Sequence, residues 1–429
     1  MIVTTDADSS YDIAPTLRLF VQPIELLPPP PREINGDEPL APEYVDPLAG
    51  HPKLGRKGET LYVRPVDHLE EHKDLSMDET DEGLFEKSKS PPDVPLPKGQ
   101  VDPAGSFAAR RKRAEIDGEQ AHKFKDVRGF RLHVDRGYTF WRFNIEVELG
   151  EKQQRIAYRI NRGPSTGFWV PAKGQPMNIM FYSCNGFSMS VDTDDFCGPD
   201  PMWRDVLNSH QSQPFHVMIG GGDQIYNDRA MQDTKIFRDW LMIKNPLHKH
   251  NAPFTAAMQA ELEIFYLERY CMWFSQGLYG MANSQIPMVN MFDDHDLIDG
   301  FGSYPHHFMN SPVFSGLGNV AFKYYMLFQH QTVPQETEKT EPSWTLGVRP
   351  GPYINELSRS MFMHLGSKVA LLALDARTER TRDEVVSQAT WKKIMDRCYE
   401  EIEKGKTEHL LVLLGVPIAY PRLVWLENV

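Results

Sequence analysis

Three short apolar runs in this chain each end in residues able to bind a cation. Met177-Asn-Ile-Met-Phe-Tyr182 runs into Ser183-Cys184-Asn185. Phe215-His-Val-Met-Ile219 runs into Gly220-Gly-Gly-Asp223, with Tyr226 close behind. Met288-Val-Asn-Met-Phe292 runs into Asp293-Asp294-His295-Asp296. A set of thiol, phenol, carboxylate and imidazole donors suits a highly charged transition metal, whereas magnesium uses oxygen-only shells. Taken singly, each residue has a plain structural alternative: Cys184 as a small core residue, Tyr226 as an aromatic staple, Asp223 as a helix cap, Asp293 to Asp296 as a solvated turn. Taken together, carboxylates stacked after apolar strands repel one another and raise their own pKa unless a cation compensates them. Three such ends on one face therefore argue for metal.

Other motifs carry less. Arg377 and Arg380 follow the run Lys368-Val-Ala-Leu-Leu-Ala-Leu374, and either guanidinium has the fork geometry to hold a substrate phosphate, while Asp375-Ala-Arg377 reads equally as an internal ion pair. Asp192-Thr-Asp-Asp195 hints at calcium, but an EF-hand loop starting there would need glycine at Cys197 and glutamate at Trp203. His248, His250, His306 and His307 sit in polar or proline-flanked segments without the spacing of a zinc site. Gly163-Pro-Ser-Thr-Gly167 fits the letters of a serine-hydrolase elbow, yet proline follows the first glycine and no helix pattern comes after, so it reads as a turn.

The elements that must position the acidic ends are short buried strands alternating with helices, the clearest helix running from about Thr255 to Trp273. This is the α/β plan, in which sites form outside the carboxyl ends of strands. A hairpin is expected from Ser360 to Leu374, turning at Gly366-Ser367, and a last buried strand over Leu410 to Leu414. Upstream, period-2 alternation from Phe130 to Trp169, including one run from Tyr138 to Leu149, predicts a small antiparallel β-sandwich with turns at Gly137 and Gly150. The first 100 residues hold 15 of the 33 prolines between charge-rich stretches, the texture of extended, loosely ordered chain. The expected divisions are an irregular region over 1–125, the β-sandwich over 126–175 and the α/β domain over 176–429.

Composition bounds the rest. The 429 residues are 41% hydrophobic, 24% charged and 11% aromatic, which excludes wholesale disorder, a collagen repeat or a membrane bundle. Lys plus Arg is 46 against 59 Asp plus Glu, so the net charge of −13 repels nucleic acid, and no nucleic-acid binding is expected. Four cysteines (Cys184, Cys197, Cys271, Cys398) with no CxxC pair make neither a disulfide framework nor a zinc ribbon. No signal-peptide pattern opens the chain and no run of about 18 apolar residues crosses it, so a cytoplasmic protein is expected. The basic cluster Arg110-Arg111-Lys112-Arg113 is the one candidate for peripheral contact with an anionic membrane surface.

Phe181-Tyr-Ser-Cys-Asn185, Gly221-Gly-Asp-Gln-Ile-Tyr226, Phe292-Asp-Asp-His-Asp296 and Leu374-Asp-Ala-Arg377 resemble, in order, the signature blocks of the PhoD-like phosphatases, the alkaline phosphatase D branch of the metallophosphoesterases. The likeness covers roughly residues 176–429 and looks most like a fungal subgroup with a long N-terminal extension. It implies an αββα metallophosphatase sandwich and metal-dependent hydrolysis of phosphate mono- or diesters by a metal-bound hydroxide. Carried over residue by residue, it makes Asp223 the carboxylate bridging two metals, and Cys184 and Tyr226 ligands of a ferric ion. Asp294 becomes the ligand of a second, divalent ion (Ca²⁺, Zn²⁺ or Mn²⁺), His295 the catalytic histidine donating to the leaving oxygen, and Arg377 a substrate-phosphate contact. The resemblance also implies a later histidine-bearing block after Gly415-Val-Pro-Ile418, and none precedes Val429. On that reading the chain is C-terminally incomplete, and residues 1–429 alone are expected to be poorly soluble and inactive. The competing expectation is a non-catalytic scaffold that keeps the phosphatase fold to bind a partner or a membrane surface.

Overall fold

The computed structural model describes residues 1–5, 13–22, 53–54, 60–61, 118–119, 121–163, 165–196, 198–275, 277–402 and 404–416. The strands, in chain order, are β1 (Ile2–Thr5), β2 (Thr16–Gln22), β3 (Lys53–Leu54), β4 (Thr60–Leu61), β5 (Phe124–Arg128), β6 (Phe130–Asp135), β7 (Tyr138–Arg142), β8 (Gln154–Ile160), β9 (Ser165–Val170), β10 (Ile179–Tyr182), β11 (Val217–Gly220), β12 (Met288–Asn290), β13 (Trp344–Pro350), β14 (Leu357–His364), β15 (Val369–Ala373) and β16 (His409–Leu413). The helices are α1 (Trp203–Ser212), α2 (Ala230–Asp233), α3 (Ile236–Leu241), α4 (Pro246–Asn251), α5 (Ala256–Ser275), α6 (Gly277–Gln285), α7 (His306–Met309), α8 (Pro312–Gln329) and α9 (Gln388–Glu401). Together they make a mixed α/β fold.

Among the described residues three antiparallel sheets form the N-terminal part, ordered β1-β7-β6, β5-β2-β8-β9 and the two-stranded β3-β4. The segments Ile2–Thr5 and Thr16–Gln22, expected to be irregular, are strands. Ile2 pairs with Trp141, and Leu17 and Leu19 turn inward against Ile160 and Tyr158. Their alternation was overshadowed by the proline- and charge-rich chain that follows, because pairing partners over 100 residues away decide the outcome. The long alternating run stops as a strand at Arg142. Ser165 of the elbow-like motif opens β9, buried and paired with Arg159, so it is no exposed nucleophile. The basic cluster 110–113 and most of 23–117 lie outside the described residues.

Beyond residue 176 two further sheets share one core. In the parallel sheet β10-β11-β12, Val217 and Ile219 face that core, where α5 and α8 pack, while Met218 faces the opposite side with Trp203 and Leu207 of α1 and Leu278, Tyr279 and Ala282 of α6. The sheet β13-β14-β15-β16 repeats the arrangement. Leu371 and Ala373 turn to the common core, and Ala370 and Leu372 turn to Ile394 and Cys398 of α9. Period-2 side-chain alternation lets β11, β14 and β15 bury both faces, which is why these runs are apolar nearly throughout. The strand expected to be buried over Leu410 to Leu414 forms as β16, but Leu410, Leu411 and Val412 are exposed, because β16 pairs with β15 alone among the described strands. Helix α8, with Pro312 in its first turn and the Ser311 hydroxyl accepting from Phe314 N, is buried along most of its length. The β14–β15 hairpin forms where expected, with Gly366 at φ +75°. Among the described residues no helix is long and apolar enough to cross a membrane.

Candidate metal centre

Because β10, β11 and β12 run parallel, their carboxyl ends lie side by side, and the loops that leave them meet. Gly221 N donates to Tyr182 O at 2.8 Å, Cys184 N to Gly222 O at 3.0 Å, and Asn185 N to Asp223 O at 2.8 Å, so the first two loops are stitched backbone to backbone. Cys184 and Asp223 both sit at left-handed φ, 53° and 56°. For residues with a Cβ this conformation carries a cost, and here hydrogen bonds around it hold it in place.

The main holder is Asp296. Its buried carboxylate accepts from Asp223 N (2.7 Å), Gln224 N (3.0 Å), Asp293 N (2.9 Å) and Gln329 Nε2 (2.7 Å). One side chain thereby fixes the β11 loop, the β12 loop and the end of α8. Gln224 adds bonds to Met291 O and Gln329 Oε1, and Trp273 Nε1 donates to Gln224 O at 2.9 Å. Burial and the neighbouring Asp223 charge push the Asp296 carboxyl up, while its N–H donors hold it down.

Within this frame Asp223, Asp294 and His295 each offer a ligand atom, all within 4.8 Å of one another. The two oxygens of Asp223 face different neighbours: Oδ1 accepts from His295 N at 3.2 Å, and Oδ2 lies 3.6 Å from Cys184 Sγ. Tyr226 stacks on His295 with ring centroids 4.3 Å apart, its hydroxyl beside the Cys184 thiol, while its carbonyl is held by the Arg269 guanidinium at 2.6 and 2.9 Å. The structure thus brings together Cys184, Asp223, Tyr226, Asp294 and His295. Burial and the charges of Asp293 and Asp294 push the Asp223 carboxyl up to about 6. Burial and Asp223 raise the Cys184 thiol, and burial, Cys184 and Asp223 raise the Tyr226 phenol. Each shift has the sign of a site short of positive charge, and a donor set of thiol, phenol, carboxylate and imidazole fits a transition-metal cluster.

Arg377 arrives from the end of β15. It is buried; Nε bonds Asp293, Nη2 donates to Asp294 Oδ1 at 3.1 Å, and Nη1 donates to Phe301 O at 2.9 Å. One of the two sequence readings pairs Arg377 with Asp375, but the Asp375 carboxylate instead accepts from Arg359 N, Arg377 N, Thr378 N and the Thr378 hydroxyl, closing the turn after β15. The end of β16 reaches the same place, since a Cβ on Gly415 would fall 2.7 Å from Asp293 Oδ1.

Sequence reasoning missed Asp228. Its carboxylate accepts from His295 Nδ1 at 2.6 Å and from Asp299 N at 2.7 Å. Burial lowers the imidazole pKa, but the Asp228 bond and the charges of Asp228, Asp223 and Asp294 outweigh it and push His295 up to about 9. The only sequence signal was a carboxylate two residues after Tyr226.

A family model described as PhoD related phosphatase matches residues 166–429. An uncharacterized protein of Saccharomyces cerevisiae is 39% identical over 316 residues, covering 68% of this chain and 45% of the yeast protein, so the chain spans less than half the length of that relative. A solved structure titled "Structure of PhoD" aligns with 57% of this chain and 40% of its own at 15% identity and a TM-score of 0.32.

Proposed function

From the premise that this chain belongs to the PhoD-related phosphatase family, whose model matches residues 166–429, we propose that it serves metal-dependent hydrolysis of phosphate esters. The observation that carries the reading is the meeting of the Asp223 and Asp294 carboxylates and the His295 imidazole within 4.8 Å at the ends of adjacent strands, with Cys184 and Tyr226 beside them. Cys184, Asp223 and Tyr226 would hold a ferric ion, and Asp223 with Asp294 a divalent partner. A bound pair of ions supplies positive charge for the phosphoryl oxygens and water of lowered pKa as the nucleophile.

The protein's own residues do the positioning. Asp223 presents two oxygens to two neighbours, the disposition a shared ligand needs. Asp294 is steadied by Gly300 N at 2.8 Å and by Arg377, so its carboxylate keeps one orientation. Asp228 fixes the His295 ring through Nδ1, which leaves Nε2 to hold a proton for the leaving oxygen.

The test is turnover of a chromogenic phosphate ester by the metal-loaded full chain, with metal content read by elemental analysis. Asp223→Ala is expected to lose both metal and hydrolysis. Undiminished turnover in that variant would sink the reading, and a wild-type protein that takes up no iron, zinc, manganese or calcium would favour a binding scaffold. Thiolate and phenolate donation to Fe³⁺ further predicts a visible charge-transfer band weakened in Tyr226→Phe; a colourless, active enzyme would reject iron.

A further inference from the structure

We infer that Arg380, and not Arg377, is the guanidinium that receives the substrate's phosphoryl oxygens. The inference rests on the phosphoesterase reading above and sharpens it to one residue. Both arginines follow β15, and both lie in the field of Asp293 and Asp294. Their bonding differs. Arg377 is buried, and each of its three guanidinium nitrogens bonds the protein, at Asp293, Asp294 and Phe301 O. It neutralises the acidic turn and cannot turn to a ligand without releasing it.

Arg380 is half-buried, and among the described residues its side chain makes no hydrogen bond or ion pair. Its Nε is shielded from solvent without an acceptor. Burial and the repulsion of Arg377 both lower its pKa, and the attraction of Asp293 and Asp294 does not fully offset them. An arginine left in this condition is poised for an anion, because a charge-assisted, two-pronged contact to phosphate restores what burial removed. The stem is placed by the backbone. Arg380 N donates to Arg377 O at 3.3 Å, closing a turn. The β, γ and δ carbons run against Gly302, where an added Cβ would come within 3.2 to 3.4 Å of them. Gly302 itself sits at φ +90°, a conformation that favours glycine, so the loop after Asp299 leaves a channel for that stem. Asp293 and Asp294 thus act on both a balanced arginine and an unbalanced one, and on this reading the second gives the substrate a fixed positive donor that needs no titration.

The experiment uses the metal-loaded full chain, a chromogenic phosphomonoester, and inorganic phosphate as competitive inhibitor and as a directly titrated ligand. Arg380→Gln is expected to raise KM and the inhibition and dissociation constants for inorganic phosphate together by about 10–100-fold with metal content unchanged. Arg380→Lys, which keeps the charge and loses the fork, should fall between the two. Gly302→Ala, which crowds the stem without touching the guanidinium, should weaken phosphate in the same direction. If the wild type turns over and Arg380→Gln and Arg380→Lys both bind phosphate as it does, the assignment is overturned while the phosphoesterase reading stands. If no ester is hydrolysed but phosphate binds and is lost in Arg380→Gln, the assignment stands and the catalytic reading falls. A wild type that neither hydrolyses nor binds phosphate overturns both.

Discussion

The Asp228 carboxylate and the His295 imidazole are joined by a 2.6 Å hydrogen bond across 67 residues of sequence, with the Tyr226 ring stacked on the imidazole face. A carboxylate on Nδ1 fixes ring orientation and tautomer, so the other nitrogen presents a defined proton. Asp228→Asn keeps an oxygen for Asp299 N but turns a donor or a weaker acceptor toward His295. The expected result is a loss of about 10–100-fold in kcat with the fold intact, accompanied by a changed ¹⁵N imidazole signature. Unaltered kcat with an altered tautomer would remove His295 from the chemistry.

Gly222 brings the β11 loop against the β12 loop. It sits at φ +122°, and an added Cβ would fall 2.6 Å from the Cβ of Asp293. Alanine there combines backbone strain with a clash against the residue that Arg377 holds. Gly222→Ala should cost about 2–4 kcal/mol of stability and lower metal uptake, read by urea unfolding and elemental analysis on one preparation. Normal metal content would mean that the two loops move independently.

Asp296 gives the sharpest stability prediction. Removing its carboxylate strands three backbone N–H groups and the Gln329 amide in a buried place. Asp296→Ala is expected to cost about 3–5 kcal/mol, and Asp296→Asn, which keeps one acceptor oxygen, about 1–3 kcal/mol. Equal unfolding midpoints for Asp296→Ala and wild type would mean that other groups satisfy those donors.

These residues mark where the sequence was legible and where it was not. The apolar runs ending at Tyr182, Gly220 and Asn290 announced their strands because the central one is buried on both faces and its two neighbours are at least partly buried beside it, and the candidate ligands stood immediately after each run. Cys184, Asp223, Tyr226, Asp294 and His295 were therefore findable. Asp296 looked like one more acid in a turn, and its role depends on Gln329, 33 residues away on another helix. Asp228 likewise gains its meaning only from the fold. The resemblance singled out Arg377 as the phosphate contact, but the residues themselves did not separate it from Arg380, since what does so is which one meets Asp293 and Asp294 at bonding distance. The strands at Ile2–Thr5 and Thr16–Gln22 were hidden for a related reason: short alternations have no partner until β7 and β8 arrive.

The last prediction concerns pH and lies away from the metal centre. His330, at the C-terminal end of α8, shares a hydrogen bond between its Nε2 and the Tyr325 hydroxyl, and burial with the Arg359 charge pushes its pKa down to about 3. In the unfolded chain the same imidazole titrates near about 6.5. Above that pH both states are neutral, and the group has no effect. Between the two values the unfolded state binds a proton that the folded state refuses, so stability falls as pH drops through that window. Each pH unit within it corresponds to about 1.4 kcal/mol, and moving from pH 7.5 to 4.5 should remove about 2–3 kcal/mol through this residue alone. His330→Gln keeps a hydrogen-bonding partner for Tyr325, since its amide can donate or accept, and removes the titration. Urea unfolding of both proteins at the two pH values cancels the carboxylates they share, and the variant should lose less stability on acidification by that amount. Parallel losses would mean that His330 takes up its proton in the folded state.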